Sequence, residues 1–228
     1  HLRFFRAMMM SSKLPYVIAA AKKAMEDGFS PIIAMWSTGG SGLAEAMEQS
    51  KESAILNPEE EWFESEVSSI ISAPRQSLMK FLDHYDGEKS ERMRQSNFDQ
   101  LSDIEDNGYE DHKRELAVLK EKLKGLILPG NPLDVLIHEL GGPESVAEMS
   151  GRTQRQEYDY ELGRFRTVER SQTNNDERDA FMDGKKLCCI ITGAASAGIS
   201  LHADRARRNQ RQRIMFVIEL TWAADSTL

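Results

Sequence analysis

Cysteine is scarce: the 228 residues hold two, Cys188 and Cys189, and they are adjacent. Neighbouring residues of a strand point to opposite faces, so a bridge between this pair would be strained. No histidine stands near them at ligand spacing, which leaves a metal without further ligands. They read as two reduced thiols in a core strand of an intracellular protein. Positive charge is short too: 29 Lys and Arg face 37 Asp and Glu, a formal net charge of −8. No global basic field therefore draws the chain to nucleic acid. No apolar run approaches the roughly 20 residues that span a bilayer. The opening HLRFFRAMMMSSK is too short in apolar residues for a secretory signal, and a chain that opens on His1 instead of Met reads as a piece of something longer. Catalytic signatures are missing as well. There is no GxSxG, no HExxH, no Cys–His pair, no GK[ST] phosphate loop and no acid box on a strand. By residue chemistry alone, nothing here hydrolyses anything. Internal repeats and heptad arrays are absent too.

What is present is an α/β rhythm with an interruption. The length suits one domain, or one domain with an insertion. With 40% hydrophobic and 29% charged residues, the composition is that of a globular chain with some very polar segments. Residues 12–27 predict a helix: Leu14, Val17, Ile18, Ala21 and Met25 form one stripe, Ser12 caps the start and Gly28 the end. PIIAMWST (31–38) predicts a buried strand, STGGSG (37–42) a turn, and LAEAMEQS (43–50) another helix. Residues 51–112 break the pattern. Acids crowd 52–66 and 99–111, Trp62, Phe63, Val67, Ile70 and Ile71 suggest some amphipathic helix, and 86–111 is expected to be loop-like, partly disordered. Helix returns at 113–128. Asn131-Pro132 caps LDVLIHEL, and Pro143 opens a short helix, ESVAEMS, closed by Gly151. The stretch 151–170 reads as two polar strands, and Asn174 with Glu177 as a capping box for DERDAFMDG. DERD itself (176–179) follows no apolar strand, so it reads as a helix start. KKLCCIIT (185–192) and RIMFVIEL (213–220) predict two more buried strands, which with PIIAMWST should be parallel neighbours in one sheet.

Three features bear on chemistry. IITGAASAGISL (190–201) leaves a central strand through small residues, a geometry that exposes main-chain N–H groups to a phosphate. A short-chain dehydrogenase turn would need Gly at 197 and 199, where this chain has Ala197 and Ile199. A plain strand-to-helix turn explains the loop equally well. STGGSG is a second such turn, and on a parallel sheet both lie at the carboxyl ends of the strands. Five arginines in nine residues, 205–213, suit either phosphate neutralisation or a solvated loop. His138 lies beside the apolar face of its helix, where a satisfied structural histidine is expected.

The order of longer strings carries a resemblance. FMDGKK, CCIITGAASAGISLHADRARRNQRQR and VIELTWAAD, with SSK, IIAMWSTGGS and LDVLIHELGGPESVAEMSGR, resemble the C-terminal helicase lobe of the strawberry notch family. The likeness covers 1–50, the first part of the lobe, and 113–228, its remainder, which stops before the arginine-bearing motif VI; 51–112 is an acidic variable insertion. The family is a superfamily 2 helicase-like motor. The resemblance implies a RecA-like lobe with a parallel sheet flanked by helices. ATP and Mg²⁺ would be bound mainly by a first lobe that this chain does not contain, and nucleic acid would cross both lobes. By position, Thr192 and Gly193 would face the phosphate backbone, while Gly198 and Ser200 would lie toward the nucleotide; many helicases carry Asp at the Ser200 position. Ser37, Thr38 and Gly39 would match a second backbone-contacting loop, and Arg152 would add a further nucleic-acid contact. The implied partners are nucleic acid (DNA or chromatin), the N-terminal helicase lobe of the same protein and transcription-regulatory proteins. The implied location is intracellular, and nuclear in a eukaryote. An alternative is a non-catalytic transcription-regulatory interaction module that uses the acidic insertion. A nicotinamide-binding enzyme of dehydrogenase type is a remote rival.

Overall fold

The computed structural model of the chain describes residues 2–35, 70–99, 107–193 and 198–219. Four short apolar strands build the centre: β1 (Ser30–Met35), β2 (Val146–Met149), β5 (Cys188–Thr192) and β6 (Arg213–Val217). They lie in the order β2-β5-β1-β6, and every pairing is parallel. The three sequence-predicted strands are thus neighbours in one sheet. Ile32 pairs with Cys189 and Met215, and Met35 with Thr192, so all four strands end along one edge. All five residues of β5 are buried, as befits a strand covered on both faces.

Alternation along the strands sorts the core into two layers. Ile33, Met35, Val146, Cys188 and Ile190 pack with Met10, Leu14 and Ala21 of α1 (Leu2–Glu26) and with Leu133, Leu136 and Ile137 of α4 (Pro132–Glu139). On the other face, Ile32, Ala147, Met149, Cys189 and Ile191 meet Phe181 and Met182 of α5 (Asn174–Met182). The adjacent cysteines therefore belong to opposite layers, both as free thiols. Burial pushes the Cys188 thiol up to about 12 and that of Cys189 well above its ordinary value. A thiol held protonated and out of reach does not attack disulfide reagents. Titration at pH 8 with an aromatic disulfide reagent should find no reactive thiol in the native chain and both in denaturant; rapid native labelling would contradict this burial.

Local signals acted much as expected at several points. Asn131 Oδ1 accepts the Leu133 N–H at 2.9 Å, with Pro132 opening α4. Gly28, at φ +88°, ends α1 as Phe29 N–H reaches back to the Ala24 carbonyl at 2.9 Å. The polar stretch 154–169 is an antiparallel hairpin of β3 (Gln154–Asp159) and β4 (Arg164–Glu169).

Four expectations are corrected. Helix α1 begins ten residues before Ser12, and the Ser12 hydroxyl donates to the Met9 carbonyl at 2.8 Å instead of capping; Pro15 sits inside the helix and forgoes one main-chain bond. Residues 146–149 form a strand, not a helix: four buried residues gain more by pairing with β5 than an isolated turn of helix can. The polar stretch expected to be loop-like carries helix in its described part, because α2 (Ala73–Asp99) and α3 (Asn107–Lys124) pack on one another and α2 packs on α1. Lys120 meets Asp83 at 2.7 Å, and Tyr85 stands edge-on to the buried ring of His112. Lastly, the capping box lies one residue earlier: Thr173 Oγ1 accepts the Asp176 N–H at 3.2 Å and the Asp176 carboxylate accepts the Thr173 N–H at 2.9 Å. The shift releases Asn174 and Glu177 for other work. Residues 36–69, with the helix expected at 43–50, lie outside the described residues.

Among the described residues, no helix is long and apolar enough to cross a membrane.

Candidate functional site at the carboxyl edge of the sheet

Parallel strands bring their carboxyl ends together, and that edge holds Thr192 and Gly193, two of the residues singled out from the sequence. Thr192 ends the central strand β5 beside Met35. It is 1% exposed, and its hydroxyl has no hydrogen-bond partner among the described residues. Gly193 follows directly. Residues 194–197, and with them the middle of the loop, lie outside the described residues, as do Ser37, Thr38 and Gly39. The loop returns at Gly198, exposed at φ +78°, a backbone state that a side chain would strain. Ile199 and Leu201 pack half-buried against the second core layer and anchor the returning chain. Ser200 between them is exposed, its hydroxyl 2.7 Å from His202 Nδ1. Farther along the edge, Lys13 Nζ donates to the Ile218 carbonyl just past β6 at 2.7 Å.

Arg152 does not reach outward. Its side chain is 3% exposed, with Nη1 2.6 Å from Asp134 and Nε 2.7 Å from Glu148. Glu148 on β2 is the hub of a buried network that the sequence reading missed. It takes two hydrogen bonds from Arg152 and one from Ser150, with Arg170 and Arg155 at 3.7 and 3.9 Å. Burial opposes charge on Glu148, but hydrogen bonding and the positive charges of Arg152 and Arg170 outweigh it and hold the carboxyl below its ordinary range. For Asp134 burial prevails: Arg152 offsets it only in part, and the pKa lies above the usual value. The one available signal was a charge lodged in an otherwise apolar string, Asp134 in LDVLI and Glu148 in VAEM. Such a charge must be paired when buried.

The arginine run is largely absorbed by the fold. Arg207 pairs with Asp179 and Asp183, Arg211 donates to the Met25 carbonyl, and Arg213 donates to the Leu201 carbonyl with its guanidinium 4.8 Å above the Phe181 ring. Arg205 and Arg208 are exposed. His138 packs on Phe165 and Tyr158 at ring distances of 5.0 and 5.7 Å, at the wall of a 580 Å³ cleft that none of the edge residues lines. Among the described residues, no group of three His, Cys, Asp or Glu could hold a metal ion.

A four-stranded parallel sheet with helices on both faces and a small-residue loop at its carboxyl edge is the architecture of a RecA-like helicase C-terminal lobe. Comparison with known proteins agrees. Residues 131–228 match the family described as the C-terminal domain on strawberry notch homologues. The whole chain aligns with rat strawberry notch homolog 1 at 30% identity over 293 positions. About half of it (51%) aligns at 40% identity with FORGETTER 1 of Arabidopsis thaliana, and 48% of it at 47% identity with human strawberry notch homolog 1. The chain belongs to the strawberry notch family and carries its C-terminal helicase-like domain. It spans 23% of the length of the rat relative, 10% of the plant one and 8% of the human one. No solved structure matches it.

Proposed function

We propose that this chain is the second RecA-like lobe of a strawberry notch-type ATP-dependent motor that acts in transcription and chromatin regulation. In this reading the carboxyl edge of its sheet holds the sugar–phosphate backbone of nucleic acid. The returning half of the same loop meets the nucleotide between the two lobes. The observation that carries the reading is Thr192: a hydroxyl without a partner among the described residues, buried at the end of the central strand and followed at once by glycine. Unpaired buried polar groups are costly and rare, and an arriving phosphate oxygen would relieve this one as the loop adjusts. Gly193 lets the main chain approach that oxygen closely. Gly198 and Ser200 fit a contributing nucleotide contact, one exposed hydroxyl beside a turn. They offer neither a primary phosphate cradle nor a metal site; in this reading ATP and Mg²⁺ are held mainly by the first lobe. Phosphoryl transfer is catalysed by positioning and charge neutralisation from several such parts together. The 228-residue chain, which has no GK[ST] loop, should therefore show no ATP hydrolysis above background when purified alone; a rate that survives further purification would contradict this.

The test of the edge is Thr192→Ala and Gly193→Val, each in the intact two-lobed protein, with two unrelated duplexes as ligands at fixed salt. Loss of one hydroxyl contact costs on the order of 1 kcal/mol. Phosphate contacts carry no base information, so both duplexes should weaken by similar factors. Circular dichroism serves as the folding control. Unchanged affinity in both variants with the fold intact would leave the loop a structural turn.

A further inference from the structure

Arg170 stands just beyond β4, yet its side chain serves a different part of the chain. Nη1 donates to the Ser150 carbonyl at 3.3 Å, the Ser150 hydroxyl at 3.2 Å and the Arg152 carbonyl at 2.8 Å. Nη2 donates to the Glu148 carbonyl at 2.7 Å and to Asn174 Oδ1 at 3.3 Å. Asn174 Oδ1 in turn accepts the Ser150 N–H at 3.2 Å, and Arg170 N–H reaches the Thr153 carbonyl at 2.8 Å. Three carbonyls, from residues 148, 150 and 152, thus converge on one guanidinium. The first belongs to the end of strand β2 and the other two to the irregular turn that follows it, beyond the β2–β5 pairing. The planar fork of arginine suits this task; a lysine ammonium, with its donors at one point, cannot span them.

The place matters as much as the contacts. Met149 pairs with Ile191 in the sheet, so the turn that begins at Ser150 emerges beside Thr192, the last residue of β5, and the loop that follows it. Its exposed members are Gly151 and Thr153, small or hydroxyl-bearing residues at the same edge. Arg152 between them is held inward by Asp134 and Glu148. We propose that Arg170 is a positioning residue for the nucleic-acid edge: by gripping the 148–152 main chain it sets the Ser150–Thr153 turn level with Thr192–Gly193, so that both turns bear on one phosphate backbone. This rests on the reading of the edge given above, and it adds a second turn and the residue that holds it.

The experiment is a double-mutant cycle in the intact two-lobed protein. Arg170→Lys, Thr192→Ala and the double variant are assayed for duplex affinity below the melting temperature of each. Val146→Ala, in the core of the same strand, serves as a stability control. Arg170→Lys should weaken binding about five-fold, the size of one lost hydrogen bond, although its charge is kept. The double variant should lose less than the product of the two single losses, because a misplaced turn and a missing hydroxyl spoil the same contact. Val146→Ala should bind as the parent does despite its lower melting temperature. If Arg170→Lys does not fold at the assay temperature, Asn174→Ala takes its place, since it removes the oxygen shared by Ser150 and Arg170. Parent-like affinity in folded Arg170→Lys, strictly multiplicative losses, or an equal loss in Val146→Ala would each overturn the positioning role. If instead Thr192→Ala alone binds normally, the reading of the edge itself falls.

Discussion

Glu148→Ala should lower the stability of the fold by about 3–5 kcal/mol, the cost of leaving buried charges uncompensated. The carboxylate is fully buried on a central-layer strand, and the Arg152, Arg155 and Arg170 guanidiniums face it. Its removal strands those cations where water cannot reach them. Glu148→Gln should lose less, because an amide oxygen can still accept from Arg152, but it should still fall well below the parent. Denaturant unfolding reads both; a loss under about 1 kcal/mol for the Ala variant would show that the network is dispensable. The pH dependence has a definite sign. The folded pKa of Glu148 lies below its ordinary value, so its contribution is present above the unfolded pKa and is lost as pH falls through the folded one. Asp134 is shifted upward, so its contribution is present in acid and lost as pH rises through its folded pKa. Glu148→Gln should therefore flatten the acid limb of the stability profile. Asp134→Asn should cost less at neutral pH than Glu148→Gln.

Phe181→Ala should cost a similar amount, about 3–5 kcal/mol, through a cavity in the second core layer. The ring is fully buried between α5 and the sheet, and the Arg213 guanidinium lies over it. Its carbonyl receives Asn209 Nδ2 at 2.9 Å, and Asn209 also donates to Ser30 Oγ at the start of β1. The residue thus joins α5, the arginine-bearing loop and the sheet. Phe181→Leu should cost about 1–2 kcal/mol, since most of the volume is kept. Equal losses for Leu and Ala would point to the aromatic face, and hence to Arg213, over the cavity.

The parts of the fold that the sequence displays are those whose signal is local. IIAM, CCII and IMFV, inside the three strings singled out, are unbroken apolar runs, and each lies in a parallel strand. VAEM gave no such signal. It is four residues long, it carries a glutamate, and only its partner β5 makes it a strand. Residues 86–99 looked unstructured because their helix shows no strong apolar stripe, and packing on α1 and α3 was not visible in composition. Arg152 shows the same limit at the site. Its residue type suggested an outward phosphate contact, but Asp134, in a preceding helix, turns it inward. The position of Thr192 at a strand end was legible; the lack of a partner for its hydroxyl among the described residues depends on neighbours from other elements and was not.

In the proposed function, the loop leaving β5 couples nucleic acid to nucleotide. The most direct measurement is the stimulation of ATP hydrolysis by duplex in the intact two-lobed protein, compared between parent and Gly193→Val. The parent should be stimulated, and the variant should keep its fold and its unstimulated rate while losing most of the stimulation. A folded variant with the full stimulation ratio, or a parent whose rate ignores nucleic acid, would contradict it.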